Sequence, residues 1–557
     1  MAGDTQSFFG IDLGTTYSVV AYVDEFGRPA VVRDQSCGSD TTPSVVYFEK
    51  AGGVVVGETA KNVARLYPDR VVQRVKRHMG QERFWEFDGQ TYTPESISAL
   101  ILKQLAQNAA QETGGPVKDV VVTVPAYFGM LERDATRQAG RIAGLNVIGI
   151  VPEPVAAALQ YEVADATQDR IVLVYDLGGG TFDTTVIRVC PDAIQVLCTD
   201  GDQELGGVDW DDVLIEHVLD EFTRSAKPDG DPRDDNEFMQ ELRDKIEDLK
   251  RQLSAMTSRN VPLRYAGAAA MIEVTRDAFE RATRHLLDKT LSYTDRTMER
   301  LAGRLGVPDP VRHIDDVLLV GGSSKMPAVA AALTEKYGWH PRLHDPDLAV
   351  AKGAARFALS RAVWAWDGTE PGAPSVEERR VRVAALAERT GVDAAALERI
   401  AAKQITTVLP KAFGVRLVDT TRPGWQDDID GASYIEHLVH ASDELPVLQH
   451  LNAATVVDNQ PEVKVEIYEQ AGSEESREMT ANKPIDHDEG KITGLPPLPA
   501  NSPIDVVMTV DPEGHLTVKA VEPASGKDLT IEVRISVLSE ADVVRATSAV
   551  REIAVRS

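Results

Sequence analysis

The chain of 557 residues has few cysteines, no long apolar run and no excess of basic residues. Its three cysteines, Cys37, Cys190 and Cys198, lack metal-ligand spacing and are too few for a disulfide framework. Buried or incidental thiols in a reducing compartment are therefore expected. No apolar run reaches membrane-spanning length, and the start MAGDTQSFFG lacks the basic-then-apolar pattern of a signal peptide. We expect a soluble, cytoplasmic protein.

The charge of the chain is strongly negative. It has 59 Lys and Arg against 87 Asp and Glu, a formal net charge of −28 at pH 7, dispersed along the sequence. Such acidity disfavours nucleic acid and anionic membrane surfaces as partners. The length of the chain predicts more than one domain, with room for large hydrophobic cores.

The most informative stretch is residues 171–189, which read IVLVYDLGGGTFDTTVIRV. The β-branched run before Asp176 predicts a buried strand, the three glycines predict a turn, and a second strand follows. Glycines let backbone N–H groups approach phosphate oxygens, and Thr181 adds a hydroxyl. The carboxylates of Asp176 and Asp183 suit hydrated Mg²⁺. The alternative is a plain hairpin with two surface aspartates.

Two further strand-to-turn segments favour the phosphate interpretation. Near the N-terminus the strand FFGI leads into Asp12 and a hydroxyl-rich turn, LGTTYS, and the third segment is VLLV followed by GGSS. Asp12 and Asp176 begin similar hairpins 176 − 12 = 164 residues apart. This repetition suggests two similar lobes that face each other across one nucleotide.

Composition and periodicity divide the chain into four parts. Residues 1–363 read as strands followed by helices, with a mostly helical stretch from 209 to about 305. Residues 364–404 combine a Gly/Pro-rich linker with two short helical stretches, residues 405–537 alternate as antiparallel strands do, and residues 538–557 predict a C-terminal helix.

Residues 376–390 and 393–403 are the two short helical stretches. Ser375 with Glu378 predicts a capping box before the first of them, and Gly391 predicts its end. Outside the glycine turns, spacing alone leaves two charged features open. Lys76 with Arg77, and the polar face of the amphipathic stretch 237–256, are each compatible with an ordinary solvated surface.

The sequence resembles the heat shock protein 70 chaperone family from residue 8 to about 362 in the motifs GIDLGTTYSVVAYV, VVVTVPAYF, PEPVAAALQY, VYDLGGGTFDTTVI, ELGGVDWDD, VLLVGGSSKMP and DPDLAVAKGAA. Over about 407–537 it is similar to the family's peptide-binding domain in DNQPEVKVEIYE, ITGLPPLP and VDPEGHLTVKAVEPASGK. The resemblance implies an α/β, actin-like (ribonuclease-H-like) two-lobed ATPase domain. A helical insert and an all-β sandwich that binds peptides would follow.

The resemblance also implies roles for residues of the predicted ATP site. Lys76 would contact the γ-phosphate, and Asp12, Glu153, Asp176 and Asp183 would position water, the three aspartates holding Mg²⁺ mostly through water. The residues that would bind the nucleotide's phosphates, ribose and base are Asp12, Gly14, Thr15, Thr16, Tyr17, Gly178, Gly179, Gly180, Thr181, Glu247, Lys250, Arg251, Ser254, Gly321, Gly322, Ser323, Lys325 and Asp347.

The resemblance also implies two residues that sense the bound nucleotide and five residues that line a peptide-binding cleft. Pro125 and Arg133 match the family's nucleotide-sensing relay; without the resemblance they would be a strand end and a surface charge. The residues that fall where the family lines its peptide cleft are Val415, Val418, Val456, Val463 and Val465. Alternating valines are equally typical of a sandwich core. The implied partners are unfolded or extended polypeptide and a nucleotide-exchange factor.

Four departures from the family pattern stand out. Lys325 replaces an arginine that stacks on adenine, and lysine lacks the planar guanidinium. Gly149 replaces an arginine that contacts J-domain partners, which puts such a partner in question. The leucine-rich linker is replaced by KQITT behind the insert, and the helical lid is missing apart from residues 539–555. We therefore predict weak coupling between ATP and peptide.

The sequence thus predicts an ATP-binding and ATP-hydrolysing chaperone-like protein with an open peptide-binding domain. Two alternatives belong to other classes. A sugar kinase shares the N-terminal fold, although residues 171–189 and 237–256 follow the chaperone pattern. A nucleotide-gated binding or scaffold module with little turnover would suit the altered linker and the missing lid.

Overall fold

The computed structural model describes residues 7–50, 52–161, 169–191, 193–364, 375–401, 404–472, 474–485, 490–511, 514–533 and 538–557. The first part of the chain builds a six-stranded sheet whose central β-branched strands are buried on both faces, together with a smaller sheet and a two-stranded hairpin. Its elements are β1 Phe9–Asp12, β2 Tyr17–Val23, β3 Pro29–Val31, β4 Thr42–Pro43, β5 Val45–Phe48, β6 Val54–Val56, α1 Glu58–Val63, β7 Val71–Gln73, β8 Trp85–Phe87, β9 Gln90–Tyr92, α2 Pro94–Thr113, β10 Asp119–Val124, α3 Met130–Ile142, β11 Asn146–Pro152 and α4 Glu153–Tyr161.

A second sheet follows and is surrounded by longer helices. Its elements are β12 Arg170–Leu177, β13 Phe182–Val189, β14 Ala193–Asp202, α5 Gly207–Ala226, α6 Asn236–Ala255, β15 Ser258–Tyr265, β16 Ala268–Thr275, α7 Arg276–Ala282, α8 Arg284–Leu305, β17 Asp316–Val320, α9 Pro327–Tyr337, β18 Arg342–Leu343 and α10 Ala349–Trp364.

The two sheets share one strand plan. In the first, β1 pairs antiparallel with β2 and parallel with β10, in the order β11-β10-β1-β2-β3. In the second, β12 pairs antiparallel with β13 and parallel with β17, in the order β18-β17-β12-β13-β14. A core of α4, α10 and strands from both sheets lies between them. The turns after β1 and β12 therefore face each other, as the repeated sequence pattern suggested.

One segment differs from the prediction. Residues 209–305 were expected to be mostly helical, but β15 and β16 form an antiparallel hairpin within that range. Val261, Leu263, Ile272 and Val274 point into the core beside α5 and α6, while their neighbours are largely exposed. This alternation is a strand signal of period two, which the strongly helical segments on either side obscured.

The insert between α10 and the sandwich contains α11 Val376–Thr390 and α12 Ala394–Ile400. The predicted capping box of Ser375 with Glu378 is confirmed, and Gly391 ends α11 with φ of 72°. Leu386 and Leu397 pack into the core between the sheets. The predicted linker residues 365–374, and residues 402–403, lie outside the described parts.

The altered linker sequence forms a strand. β19 Gln404–Thr406 pairs in parallel with β14 and extends the second sheet by one strand. Ile405 is the one apolar side chain of the KQITT segment, which is why the sequence predicted weak coupling between ATP and peptide. Backbone pairing does not require apolar side chains, and Ile405 and Val408 also pack against the core between the sheets.

The next part is a sandwich of two four-stranded antiparallel sheets, β21-β20-β24-β25 and β22-β27-β28-β29. Its core contains Phe413, Ile467, Met508 and Val518. The strands are β20 Phe413–Val418, β21 Ser433–Val439, β22 Val447–Ala454, β23 Glu462–Lys464, β24 Ile467–Gln470, β25 Asn482–Pro484, β26 Lys491–Thr493, β27 Pro503–Val510, β28 Leu516–Glu522 and β29 Lys527–Val533.

Residues 538–557 are not a single helix. Helix α13 spans Glu540–Glu552, and β30 Val555–Arg556 then pairs in parallel with β6 of the first part of the chain. Leu538, Val543, Val550 and Val555 belong to the core formed by the first sheet with α2 and α3. Within the described ranges, no helix has the length and apolarity needed to cross a membrane.

Candidate functional site

A cleft of about 410 Å³ lies where the turns after β1, β12 and β17 meet. Antiparallel pairing continues to the ends of both hairpins, with Asp12 opposite Val19 and Asp176 opposite Asp183. Of the residues predicted to bind or hydrolyse nucleotide, all but Gly180 and Asp183 line this cleft. The remaining walls come from α6, the start of α5, and residues 346–350.

The glycines are needed because the two hairpin turns nearly touch. A Cβ on Gly179 would lie 2.1 Å from Thr16 Oγ1, and one on Gly180 would lie 2.5 Å from Thr15 Cγ2. Gly321 has φ of 79°, and a Cβ there would lie 2.4 Å from the Leu177 carbonyl oxygen. Side chains at these positions would fill the space between the hairpins, so the cleft depends on their absence.

A buried group of charges lies at the base of the cleft. Lys76 Nζ donates to Glu153 Oε1 over 2.5 Å, and both side chains are less than 10% exposed, at 5% and 9%. Asp12 Oδ1 accepts from the Thr123 hydroxyl at 3.0 Å. Asp183 Oδ1 accepts from the backbone N–H of Tyr127, also at 3.0 Å.

These carboxylates outnumber the cations beside them. Burial, followed by the charge of Glu153, raises the pKa of Asp12 to about 7 and that of Asp183 to about 7. The same two causes raise the pKa of Asp176 well above its usual range. Burial opposes the charge of Lys76, but Glu153 and Asp12 outweigh it and raise its pKa, so Lys76 stays protonated. The base of the cleft therefore has a deficit of positive charge.

A second polar group joins the two sides of the cleft. Lys61 on α1 donates to Glu247 on α6 over 2.6 Å and to the Tyr17 hydroxyl over 2.7 Å. The Tyr17 hydroxyl in turn donates to Glu247 at 2.9 Å, and the Arg251 guanidinium lies 4.9 Å from the centre of the Tyr17 ring. The polar face of α6 is therefore part of the cleft and not simply a solvated surface.

Sequence reasoning missed two residues that contact the predicted nucleotide-binding residues, Asp211 and Lys61. Asp211 lies 2.8 Å from Lys250 Nζ, which also donates to the Gly207 carbonyl at 2.7 Å, and burial raises the pKa of Asp211. Asp211 falls inside the motif ELGGVDWDD, so the motif was a signal that could have identified it. Lys61 lies in an ordinary helix, and no local pattern distinguishes it.

The wall opposite the carboxylates is more open. Lys325, which replaces the expected arginine, forms an ion pair with Asp347, and both side chains are about two-fifths exposed, at 43% and 41%. Ser323 is buried beside Gly207, where a Cβ would lie 2.1 Å from Ser323 Oγ. Ser254, Gly14, Gly178, Thr181 and Gly322 complete the predicted set along this cleft.

The predicted relay residues lie between the cleft and the sandwich. Pro125 directly follows β10, two residues before Tyr127, whose N–H donates to Asp183, and Arg133 donates to the carbonyls of Phe128 at 2.9 Å and Ala126 at 3.3 Å. Burial lowers the pKa of Arg133 to about 10. Arg133 is therefore not the free surface charge that the alternative interpretation assumed, but a brace for the loop behind Asp183.

The five predicted peptide-binding valines do not share one environment. Val415 and Val465 are 3% and 5% exposed and belong to the sandwich core. Val418, Val456 and Val463 are partly exposed. In this structure, the first two could touch a peptide only if the sandwich opened, whereas the other three are partly accessible.

The cleft fits a nucleotide with Mg²⁺ on its own geometry. The glycines of the turn after β12 leave room for phosphate to approach backbone N–H groups, Thr15 and Thr16 add hydroxyls, and the buried carboxylates supply oxygen atoms of the kind that a hydrated divalent cation binds. No cluster of three or more His, Cys, Asp or Glu side chains arranged to hold a metal occurs among the described residues.

The family model described as "Hsp70 protein" matches residues 8–86, 83–360 and 411–555, which is most of the chain. The protein therefore belongs to the Hsp70 family. The residues between the last two matches contain α11, α12 and β19, so the insert and linker lie outside the ranges that the family model matches.

Several curated relatives named "Chaperone protein DnaK" are similar over nearly the whole chain. The Thermotoga neapolitana protein is 34% identical over 555 residues, 98% of this chain and 83% of the relative. The Thermosipho africanus protein is 32% identical over 546 residues, covering 96% and 81%. The Halobacterium salinarum protein is 34% identical over 539 residues, covering 95% and 75%.

Proposed function

We propose that this chain is an ATP-dependent chaperone whose cleft binds and hydrolyses ATP and whose sandwich binds extended apolar segments of unfolded proteins. The two sheets with matching strand plans would form the actin-like two-lobed ATPase domain. The observation that carries the proposal is the buried pair Lys76–Glu153, which lies with Asp12, Asp176 and Asp183 where the hydroxyl-rich turn after β1 faces the glycine turn after β12. Family membership supports the same conclusion.

The hydrolytic role of each residue follows from its charge and position. Water would attack the γ-phosphorus, the bond to the β–γ bridging oxygen would break, and ADP and phosphate would leave. Lys76 is protonated and buried, so it can stabilise negative charge that grows on the γ-phosphoryl oxygens. Glu153 and Asp183 are held by hydrogen bonds and are suited to orienting the attacking water.

The remaining polar groups would bind the nucleotide. Mg²⁺, when bound, would neutralise phosphate charge, and Asp12, Asp176 and Asp183 are the carboxylates that would hold it, mostly through water. Thr15, Thr16 and the glycine turns would contact the phosphates, while Glu247, Lys250, Arg251 and Ser254 would surround the ribose and base. Lys325 presents an ammonium paired with Asp347, so base stacking on a guanidinium at that position is not part of the proposal.

The proposed macromolecular partners are unfolded polypeptide and a nucleotide-exchange factor. Gly149 offers no side chain for a J-domain contact, and a Cβ there would lie 3.3 Å from Phe357 Cε1. For peptide binding, we assign the partly exposed Val418, Val456 and Val463 to the rim of a peptide-binding cleft in the sandwich. Val415 and Val465 would take part only after the sandwich opens.

A single-turnover assay tests the proposal. Purified full-length protein is mixed with substoichiometric labelled ATP, with Mg²⁺ or with excess EDTA, and ADP is quantified over time. We expect conversion of bound ATP to ADP with Mg²⁺ and little conversion with EDTA. A labelled apolar peptide is titrated in parallel by fluorescence anisotropy. ATP that stays bound but intact for hours would favour a nucleotide-gated binding module with little turnover.

A further inference from the structure

A second and smaller gap lies beside the nucleotide cleft. Its volume is about 50 Å³, and Thr15, Thr16 and Val208 line both the gap and the cleft. The remaining walls of the gap come from both sides of the cleft, namely from residues 44–45, 61 and 73–74 on one side and from α5 and α6 on the other. The gap therefore adjoins the part of the cleft where the hydroxyls of Thr15 and Thr16 would contact phosphate.

The gap extends from buried residues to the surface. Thr15 and Val208 are 5% and 4% exposed, whereas Arg243 on α6 is exposed and the side chain of Arg74 is 32% exposed. A buried water needs roughly 10–15 Å³ of such space, so the gap accommodates about four waters. A phosphate ion also has four oxygen atoms, so the gap and the ion are comparable in size.

The carboxylates of the gap have partners on α1 or α6. Lys61 Nζ donates to Glu247 over 2.6 Å, and Lys250 Nζ lies 2.8 Å from Asp211 Oδ1. Burial opposes the ionised form of Glu247, but the charge of Lys61 outweighs it and lowers the pKa of Glu247. Asp244 accepts a hydrogen bond from the preceding turn of α6 at 3.2 Å, and burial raises its pKa. Two of these three carboxylates are therefore offset by a lysine.

Two guanidinium groups of the gap are less well neutralised. Within the described ranges, the Arg243 side chain makes no ion pair and no hydrogen bond. Arg74 makes a loose ion pair, since its Nη1 lies 3.8 Å from Asp212 Oδ1 and the side chain of Asp212 is 56% exposed. Arg74 also has φ of 59°, a left-handed conformation that costs free energy in any residue with a side chain and that is found most often at functional sites.

This distribution of charge suits a phosphate ion. A guanidinium donates two parallel hydrogen bonds to phosphate oxygens, and positive charge along a narrow gap attracts anions into it. In the proposed reaction, phosphate is freed at the base of the cleft, so ADP would lie between the phosphate ion and the mouth of the cleft. An ion that left through the gap would not have to pass ADP.

From these observations we propose that inorganic phosphate leaves through this gap, past Thr15 and Thr16 and toward Arg74 and Arg243, while ADP still occupies the cleft. The step breaks no covalent bond, because the ion exchanges its contacts in the cleft for guanidinium contacts and then for water. The proposal rests on the proposed function, which supplies the phosphate. Movement of added phosphate through the gap can nevertheless be measured without hydrolysis, since entry and exit follow the same path.

Exchange of radiolabelled inorganic phosphate on the ADP-saturated, full-length protein tests the proposal. The labelled complex is mixed with excess unlabelled phosphate, and loss of label is followed by rapid filtration. For Arg243→Glu we expect dissociation to slow by about fivefold or more, with ADP affinity and single-turnover hydrolysis within about twofold of wild type. Phosphate that does not bind wild type beside ADP, or that leaves Arg243→Glu at the wild-type rate, would overturn the proposal.

Two further variants separate the path from a general effect of charge. Arg264→Glu makes the same change of charge at an exposed position of β15 and should leave phosphate dissociation unchanged. Arg74→Asn removes the second guanidinium but introduces a residue that tolerates positive φ, and it should slow dissociation by about threefold or more. Equal slowing in Arg264→Glu and Arg243→Glu, or a wild-type rate in Arg74→Asn, would overturn the path.

The same measurements separate failure of the path from failure of the proposed function. Absent hydrolysis together with phosphate exchange that depends on Arg243 would contradict the proposed function and leave the path supported. Normal hydrolysis together with phosphate exchange that is independent of Arg243 would overturn the path and leave the proposed function in place.

Discussion

Candidate functional residues are buried in both the nucleotide cleft and the sandwich, but those of the cleft are ionisable and those of the sandwich are apolar. In the cleft, buried residues such as Lys76, Glu153 and Asp183 are ionisable, and burying several ionisable groups together is costly and is typical of functional sites. In the sandwich, Val415 and Val465 are apolar, and their burial needs no function because it stabilises the fold. The chemistry of a buried residue therefore decides how strongly its position indicates a site.

The largest effect is expected from Lys76→Ala. Removing the one protonated lysine at the base of the cleft deletes an electrostatic contact that strengthens as charge develops on the γ-phosphoryl group. Single-turnover hydrolysis should fall by about 10²-fold or more, while calorimetry should still detect ATP binding. The exposed Lys50→Ala provides the control and should behave as wild type. Turnover of Lys76→Ala within a few-fold of wild type would contradict the proposed role of Lys76 in hydrolysis.

The sandwich should respond to substitution by losing stability rather than activity. Val415→Ala removes buried methyl groups and should lower the free energy of unfolding of the sandwich by about 1–3 kcal/mol. Val457, which is 41% exposed, provides the control substitution, and Val457→Ala should leave stability unchanged. Chemical denaturation monitors both variants. A loss of peptide affinity in Val415→Ala with unchanged stability would instead identify Val415 as part of the peptide cleft.

A smaller effect, on the rate of ADP dissociation, is expected from breaking the ion pair of Lys61 with Glu247, which joins the two sides of the cleft. Lys61→Met removes the ion pair with Glu247, whose side chains are 21% and 18% exposed, and the contact with Tyr17. Dissociation of labelled ADP should accelerate about 3- to 10-fold, since a partly buried pair contributes about 0.7–1.4 kcal/mol. Lys245→Met breaks a pair with Glu241 within α6 and should leave the rate unchanged. Equal ADP dissociation rates in wild type, Lys61→Met and Lys245→Met would show that Lys61 does not help to hold the two sides of the cleft together.

Sequence reasoning identified the cleft well because its signals are local. Asp12 and Asp176 each follow a buried strand and precede a glycine or hydroxyl turn, and the structure brings both turns together. Lys61 reaches Glu247 from 186 residues away, so no local pattern marks it. The hairpin β15–β16 was hidden by the helices beside it.

The two attachments of the sandwich show a further limit. The pairing of β19 with β14 was not predicted because these contacts are made by the backbone, which side-chain composition does not reveal. Residues 539–555 were read as the remainder of a lid, since an amphipathic helix pattern does not say which part of the chain its apolar face will meet. In both cases the missing information is the partner surface, which is distant in sequence.

The smallest effect is expected in the coupling between nucleotide and peptide, and its measurement is the most direct test of the predicted weak coupling. Coupling cannot exceed the difference in contacts between the two nucleotide states. Peptide affinity measured by anisotropy in saturating ATP and in saturating ADP should differ by less than about tenfold, or about 1.4 kcal/mol. A larger ratio, mirrored by the same shift in relative nucleotide affinity, would contradict the predicted weak coupling.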